Sequence, residues 1–193
     1  MSALHPTGSQ TVGPFFGPAM LREGMLRQRL DGPGTSGRPI RIEGRVLDGD
    51  GAAVPDALIE IWQANAHGRY DHPADDRDLP LEPSFSGFGR AATDDDGRFW
   101  FETIKPGPVP GPGGAPQAPH LVVTVFARGL LNHVVTRFYF EDEPANGHDP
   151  ILALVPAARR GTLLARLAEE GQRPLYRRDV VLQGEGETAF FNL

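Results

Sequence analysis

The sequence predicts an all-β protein, an antiparallel β-sandwich with an extended N-terminal arm over about residues 1–38 and one or two short helices. Three observations predict it. Short apolar runs alternate in the manner of strands, clusters of turn residues separate them, and helical periodicity is confined to two brief stretches. The 193 residues include 24 glycines and 19 prolines. That is about 22% of the chain, high for a helical bundle but below the ~25–30% that marks low complexity. The length fits a single domain spanning 1–193, since one domain takes roughly 100–200 residues.

The elements follow in order. From Pro39 to Leu47 the residues Ile40, Ile42 and Val46 alternate with polar ones, and Asp48-Gly49-Asp50-Gly51 closes the run with a turn. Ala57 to Gln63 is β-branched and aromatic after the turn signal Val54-Pro55-Asp56, and it is expected to pair with the first strand. Asp94-Asp95-Asp96-Gly97 then launches Arg98 to Ile104, with Phe99 and Phe101 on one face and Trp100 on the other. His120 to Ala127 and Val134 to Phe140 read as a hairpin joined by Arg128 to His133, and Asp179 to Gln183 with Thr188 to Asn192 as a closing hairpin. Helix is expected at Ala19 to Leu30 and at Thr162 to Glu170, where Leu163, Leu164 and Leu167 share a stripe. The loop Lys105 to Pro119 is too rich in Pro and Gly to pair in a sheet and reads as a surface crossover.

Composition excludes several function classes. With no cysteine there is no disulfide framework, thiolate metal site, iron–sulfur cluster or Cys nucleophile. A net charge of -6 gives counterion-release binding to nucleic acid no electrostatic basis. No apolar run approaches the ~20 residues of a membrane helix, so no membrane partner is expected. The N-terminal Met1 to Gly8 lacks the basic and apolar regions of a secretory signal, which predicts a cytoplasmic protein.

Site chemistry is sparse when read from spacing alone. His120 opens an apolar strand, but its same-face neighbour two residues on is Val122, so a His-x-His ligand pair is absent. His67, Asp71 and His72 form a loop cluster of possible metal donors. The neighbourhood of Ser86 lacks a nucleophile elbow, and Gly111 to Gly114 lacks the ending of a phosphate loop. Arg128, at a strand end beside Gly129, can present a bidentate fork to a carboxylate. The rigid aromatic stretch Ser9 to Phe16 cannot pack on itself and needs its own sheet or a partner chain to cover it.

Five motifs carry a resemblance. Ser9-Gln10-Thr11-Val12-Gly13-Pro14-Phe15-Phe16, Ile61 through Tyr70, Phe88-Gly89-Arg90, Thr103-Ile104-Lys105-Pro106-Gly107 and Gln183 through Thr188 together resemble the intradiol ring-cleavage dioxygenases, in the right order from about Ser9 to Leu193. The resemblance implies the intradiol dioxygenase (prealbumin-like) β-sandwich and a mononuclear Fe(III) held by two Tyr and two His. Carried onto this sequence, the first tyrosine falls on Tyr70 and the first histidine on His120. The second tyrosine position holds Val109 and the second histidine position holds Val122. Valine offers no donor atom, and two ligands cannot hold Fe(III) with useful affinity.

Such a chain looks like the decayed partner in two-chain members of the family. The resemblance then implies that Fe(III) is held by a homologous iron-binding beta subunit in a larger hetero-oligomer, with protocatechuate and O2 as the substrates. This chain is expected to hold no metal and no complete catalytic set of its own. It would contribute substrate-facing residues, which fall on Thr11, Gly13, Pro14, Phe15 and Arg128. Two rivals are a self-sufficient homo-oligomeric dioxygenase with substitute ligands among Tyr139, His133 and His67, and a non-enzymatic transthyretin-like binding module.

Overall fold

The computed structural model describes residues 11–13 and 16–192. Eleven strands are present among them: β1 (Pro39–Leu47), β2 (Leu58–Trp62), β3 (Phe88–Ala92), β4 (Arg98–Ile104), β5 (Val109–Pro110), β6 (Pro116–Gln117), β7 (His120–Phe126), β8 (Val134–Phe140), β9 (Leu164–Glu169), β10 (Leu175–Arg177) and β11 (Val180–Val181). Two short helices accompany them, α1 (Phe16–Met20) and α2 (Ala157–Arg160), together with 3-10 turns. The protein is mostly β-sheet with little helix. None of the described helices is long and apolar enough to cross a membrane.

Nine strands join in one sheet, in the order β11-β1-β10-β9-β8-β7-β2-β3, with β4 on the other side of β1. The sheet is mixed, which corrects the antiparallel expectation. β1 runs parallel to β10 and β11, and β8 runs parallel to β9. The remaining pairs, β1 with β4, β2 with β3 and β7, β7 with β8, and β9 with β10, are antiparallel. One core joins both halves of the sheet: Ile40, Ile42, Phe99, Phe101 and Tyr176 from one, and Ile59, Ile61, Val123, Val125, Phe138 and Phe140 from the other. Phe99 stacks on Phe138 at 6.4 Å, and Phe140 meets Tyr176 edge-on at 5.0 Å. Each such side chain withdrawn from water contributes about 1.5–3 kcal/mol.

Local chemistry explains the strand starts. The Asp48 carboxylate accepts from the N–H groups of Asp50 and Ala52, both at 2.9 Å, and turns the chain after β1. Asp94 does the same before β4, accepting from Asp96 and Arg98. Within β1, Gly44 continues the inward alternation where the Arg178 carbonyl passes so close that a Cβ would lie 1.9 Å from it. Any side chain there would force the neighbouring segment away.

Several expectations are corrected. β2 does not pair with β1; it lies between β3 and β7, and the missed strand β3 supplies its other neighbour. Helix in the segment Ala19 to Leu30 reaches only Met20. Beyond it Arg27 bridges to Arg90 of β3 and Arg29 to Glu102 of β4, because the open edges of those strands offer backbone partners that an isolated short helix does not. The leucine stripe from Thr162 to Glu170 is also not a helix. After one 3-10 turn it becomes β9, held on both sides by β8 and β10, so sheet pairing overrides the helical pattern. The loop Lys105 to Pro119 does pair, through β5 and β6. The hairpin of β7 and β8 forms as expected. The closing hairpin is only partial: Thr188 donates to the Val181 carbonyl, but Phe191 then bridges to Val135.

Candidate functional site

A cavity of about 440 Å³ opens at the His120 end of β7, lined in part by Trp62, Tyr70, Val109, His120, Val122 and Arg137. All four positions singled out in the sequence as counterparts of iron ligands therefore face one space. Two loops build it. The Asn65 carboxamide oxygen accepts from the N–H groups of His67 and Arg69 at 2.9 and 3.0 Å, while its amide donates to the Pro80 carbonyl at 2.8 Å. This closes the tight turn that precedes Tyr70. Gly68, at φ +76°, lets the turn lie against the next loop, where a Cβ would meet the Pro108 carbonyl at 2.0 Å. Gly107 donates to the Asn65 carbonyl, so Val109 is brought beside the Tyr70 loop. Beneath both, the buried Gln63 side chain donates to the Ile104 carbonyl and accepts from Thr103 at 2.8 Å. Two of the five sequence motifs are thus one interlocked scaffold.

Tyr70 stacks on Trp62, with ring centres 5.8 Å apart and planes 12° from parallel. Its N–H donates to Asp75, which also pairs with Arg77 at 2.6 Å. The hydrogen bond from Arg77 holds the Asp75 carboxyl well below the usual carboxylate range. Burial raises the Tyr70 phenol above its ordinary value, so it stays protonated at neutral pH. His120 is buried and its Nδ1 lies 2.7 Å from the Ala118 carbonyl, which assigns the proton of the neutral ring to Nδ1. Burial first, then the Arg137 charge, pushes its pKa down to about 4. Tyr139, expected as a possible substitute ligand, is instead a buried phenol that donates to Asp149 at 3.1 Å and is raised well above its usual value by burial.

The residues present do not fit a ferric ion. Two of the four positions are valines, and the Arg137 charge acts on both Tyr70 and His120. A fixed guanidinium opposes a second cation in the same space. Among the described residues, no three His, Asp or Glu side chains converge as a metal site, and this includes the loop cluster His67, Asp71 and His72. There His67 is exposed, and the His72 Nδ1 accepts from the Ala74 N–H. His133 instead packs its ring on Phe126 at 5.3 Å.

The substrate-facing residues expected from the sequence lie at the opposite end of β7. Arg128 is eight positions beyond His120, a distance of about 26 Å along an extended strand. There the Gly129 N–H donates to the Thr11 hydroxyl at 3.1 Å, which brings the arm and Arg128 together. The Gly13 carbonyl accepts from the Phe16 N–H, and the Phe16 ring sits 6.3 Å from that of Phe126. Pro14 and Phe15 lie outside the described residues. Arg128 is 71% exposed and pairs with Asp56 at 2.7 Å. The two groups of residues do not share a site within this chain.

Sequence reasoning missed Arg137, Gln117 and Asp149. A signal was present for the first: Arg137 is the one charged residue in the run Val134–Phe140, which is otherwise apolar or aromatic apart from Thr136. Its register opposite Val122 places it in the cavity.

Comparison with known proteins agrees with this geometry. The family described as Dioxygenase matches residues 11–184. The chain belongs to the intradiol ring-cleavage dioxygenase family. It is 42% identical to the protocatechuate 3,4-dioxygenase alpha chain of Burkholderia cepacia, over the full length of both. It is 38% identical to the beta chain of that enzyme from the same organism, over 94% of this chain and 77% of that one. Among solved structures, the dioxygenase domain of a dioxygenase carbohydrate-binding protein fusion from Streptomyces sp. SirexAA-E superposes with a TM-score of 0.65 at 28% identity, covering 93% of this chain and 99% of that one.

Proposed function

We propose that this chain is the accessory, alpha-type subunit of a cytoplasmic protocatechuate 3,4-dioxygenase, assembled in a hetero-oligomer with a homologous beta-type chain that holds Fe(III). The observation that carries the reading is the cavity itself: the four positions that the resemblance assigns to iron ligands line it together, and two of them are Val109 and Val122. A protein that keeps the scaffold and loses the donors takes its metal chemistry from elsewhere. Ring cleavage adds both atoms of O2 across the bond between the hydroxyl-bearing carbons and yields 3-carboxy-cis,cis-muconate, with the metal chemistry residing in the partner. The core that joins strands from both ends of the sequence supports one domain over 1–193.

The part played by this chain is positioning. In this reading Thr11, Gly13, Pro14 and Phe15 of the arm form one wall of the partner's site, and Arg128 meets the substrate carboxylate. The contact between Thr11 and Gly129 supports it, because it carries the arm to the strand end where Arg128 stands. The exposure of Arg128 supports it too, since the guanidinium is left open on the surface of this chain.

The test is purification of the tagged chain from its own host, with iron and oxygen uptake measured per chain. One stoichiometric, similar-sized companion carrying the iron, and protocatechuate cleavage only with that companion, is the expected result. Iron and cleavage with this chain alone would overturn the proposal.

A further inference from the structure

We infer that the cavity of Trp62, Tyr70 and Arg137 is a binding site in its own right for a small aromatic carboxylate. Its volume of about 440 Å³ falls within the ~300–1,000 Å³ of small-molecule sites. Its charge is poised for one anion. The Arg137 Nη1 donates to the Gln117 carboxamide oxygen at 2.6 Å and to the Tyr139 hydroxyl at 3.3 Å. Gln117 is itself oriented, because its amide donates to the Pro110 carbonyl at 2.8 Å. The guanidinium also lies 5.7 Å from the Phe191 ring. Its position is therefore set, while Nε and Nη2 make no hydrogen bond among the described residues. Those two N–H groups form the side-on fork that takes a carboxylate with two parallel bonds.

The other charged groups lining the cavity do not compete. Arg77 has committed Nε and Nη2 to Asp75, at 2.7 and 2.6 Å, and Nη2 also donates to the Gly68 carbonyl. The ionised Asp75 is balanced by Arg77, and Asp76 is exposed to solvent. No carboxylate among the described residues forms an ion pair with Arg137. The rest of the lining selects an aromatic body: the Trp62–Tyr70 stack offers ring faces, and Val109 and Val122 are apolar where the family's ligands would otherwise stand.

The described lining belongs to this chain and the proposed binding involves no ring cleavage, so its test uses a ligand without adjacent hydroxyls. Benzoate is titrated into the full-length chain by calorimetry and by Trp fluorescence, with benzamide and cyclohexanecarboxylate as comparators. Saturable binding of one benzoate per chain is expected, at least 10-fold tighter than benzamide, the loss expected for a charged hydrogen bond, and several-fold tighter than cyclohexanecarboxylate. Arg137→Gln should weaken benzoate at least 10-fold. Val122→Asp should do the same by placing a carboxylate directly across the strand pair from Arg137. No saturable benzoate binding by the unaltered chain overturns the proposal, as does benzamide binding equally well. Equal binding of cyclohexanecarboxylate overturns the aromatic preference. Unchanged benzoate affinity in either folded variant removes Arg137 as the receptor. The comparators act on the unaltered chain, so the test stands even where a variant fails to fold.

Discussion

Val122 and Arg137 stand directly opposite one another in the β7–β8 ladder, their side chains on the same face and turned to the same cavity. The valine offers no donor atom, and the arginine across from it adds a charge that opposes a cation. Two adjacent strands thus act in one direction against a metal in this cavity.

The donor set can be rebuilt. A Val109→Tyr, Val122→His variant restores two tyrosines and two histidines around the cavity and is expected to bind Fe(III) with the visible charge-transfer band of iron–tyrosinate. Adding Arg137→Gln should tighten iron further by removing the like charge. Absorption spectra during iron titration, with metal analysis after dialysis, check both steps; equal affinity with and without Arg137 would show that the guanidinium does not matter.

Stability should fall on mild acidification because of His120. Its pKa is about 4 in the folded protein against about 6.5 when unfolded. The unfolded chain therefore binds the proton more readily, and the stabilisation is complete above about pH 6.5. It declines as pH falls and is lost by about pH 4, for a total on the order of 3 kcal/mol. Chemical denaturation between pH 4 and 8 measures this directly, and His120→Gln is expected to flatten the curve over that window.

Asn65→Ala should destabilise the fold by about 2–4 kcal/mol, since it leaves two turn N–H groups and the Pro80 carbonyl without their buried partner. The turn that carries Tyr70 opens with it. A lower denaturation midpoint and loss of the Trp62–Tyr70 fluorescence environment are the expected readings.

Much of this architecture was legible in the residues. Alternation placed β1, β4, β7 and β8, and the aspartate turns at Asp48 and Asp94 were visible as φ-permissive clusters. β9 was not legible, because Leu163, Leu164 and Leu167 satisfy a helical stripe as well as a strand, and only the open backbone of β8 and β10 decides between them. β3 was hidden for a different reason. Phe88-Gly89-Arg90-Ala91-Ala92 has weak strand propensity, and it pairs because Gly89 leaves room for Ile61, Leu30 and Phe101, each within about 3 Å of where a Cβ would be. At the site, the positions of Tyr70, Val109, His120 and Val122 came from the family resemblance, and all four line one cavity. The segment Val134–Phe140 marks Arg137 as its one charged residue, but only cross-strand register opposite Val122 puts it in the cavity.

Arg128→Ala in the assembled enzyme should raise KM for protocatechuate by roughly 10-fold or more, with kcat little changed. Arg128 pairs with Asp56 through Nε and is otherwise 71% exposed, so the guanidinium is reachable by a second carboxylate. Steady-state kinetics with protocatechuate and with catechol separate the effect, since catechol lacks the carboxylate and should lose nothing.

The parallel pairing of β1 with β10 sets a schedule for biosynthesis. Arg41 waits for Leu175, about 130 residues downstream, and at roughly 5–20 residues per second that delay is on the order of ten seconds. Through that interval β4 is the sheet neighbour the ribosome has already delivered, and one flank of the first strand stands open. A nascent chain stalled before Leu175 would expose that flank to other polypeptides, so a premature stop late in the message should be read in the cell as aggregation or degradation rather than as a shortened but soluble subunit.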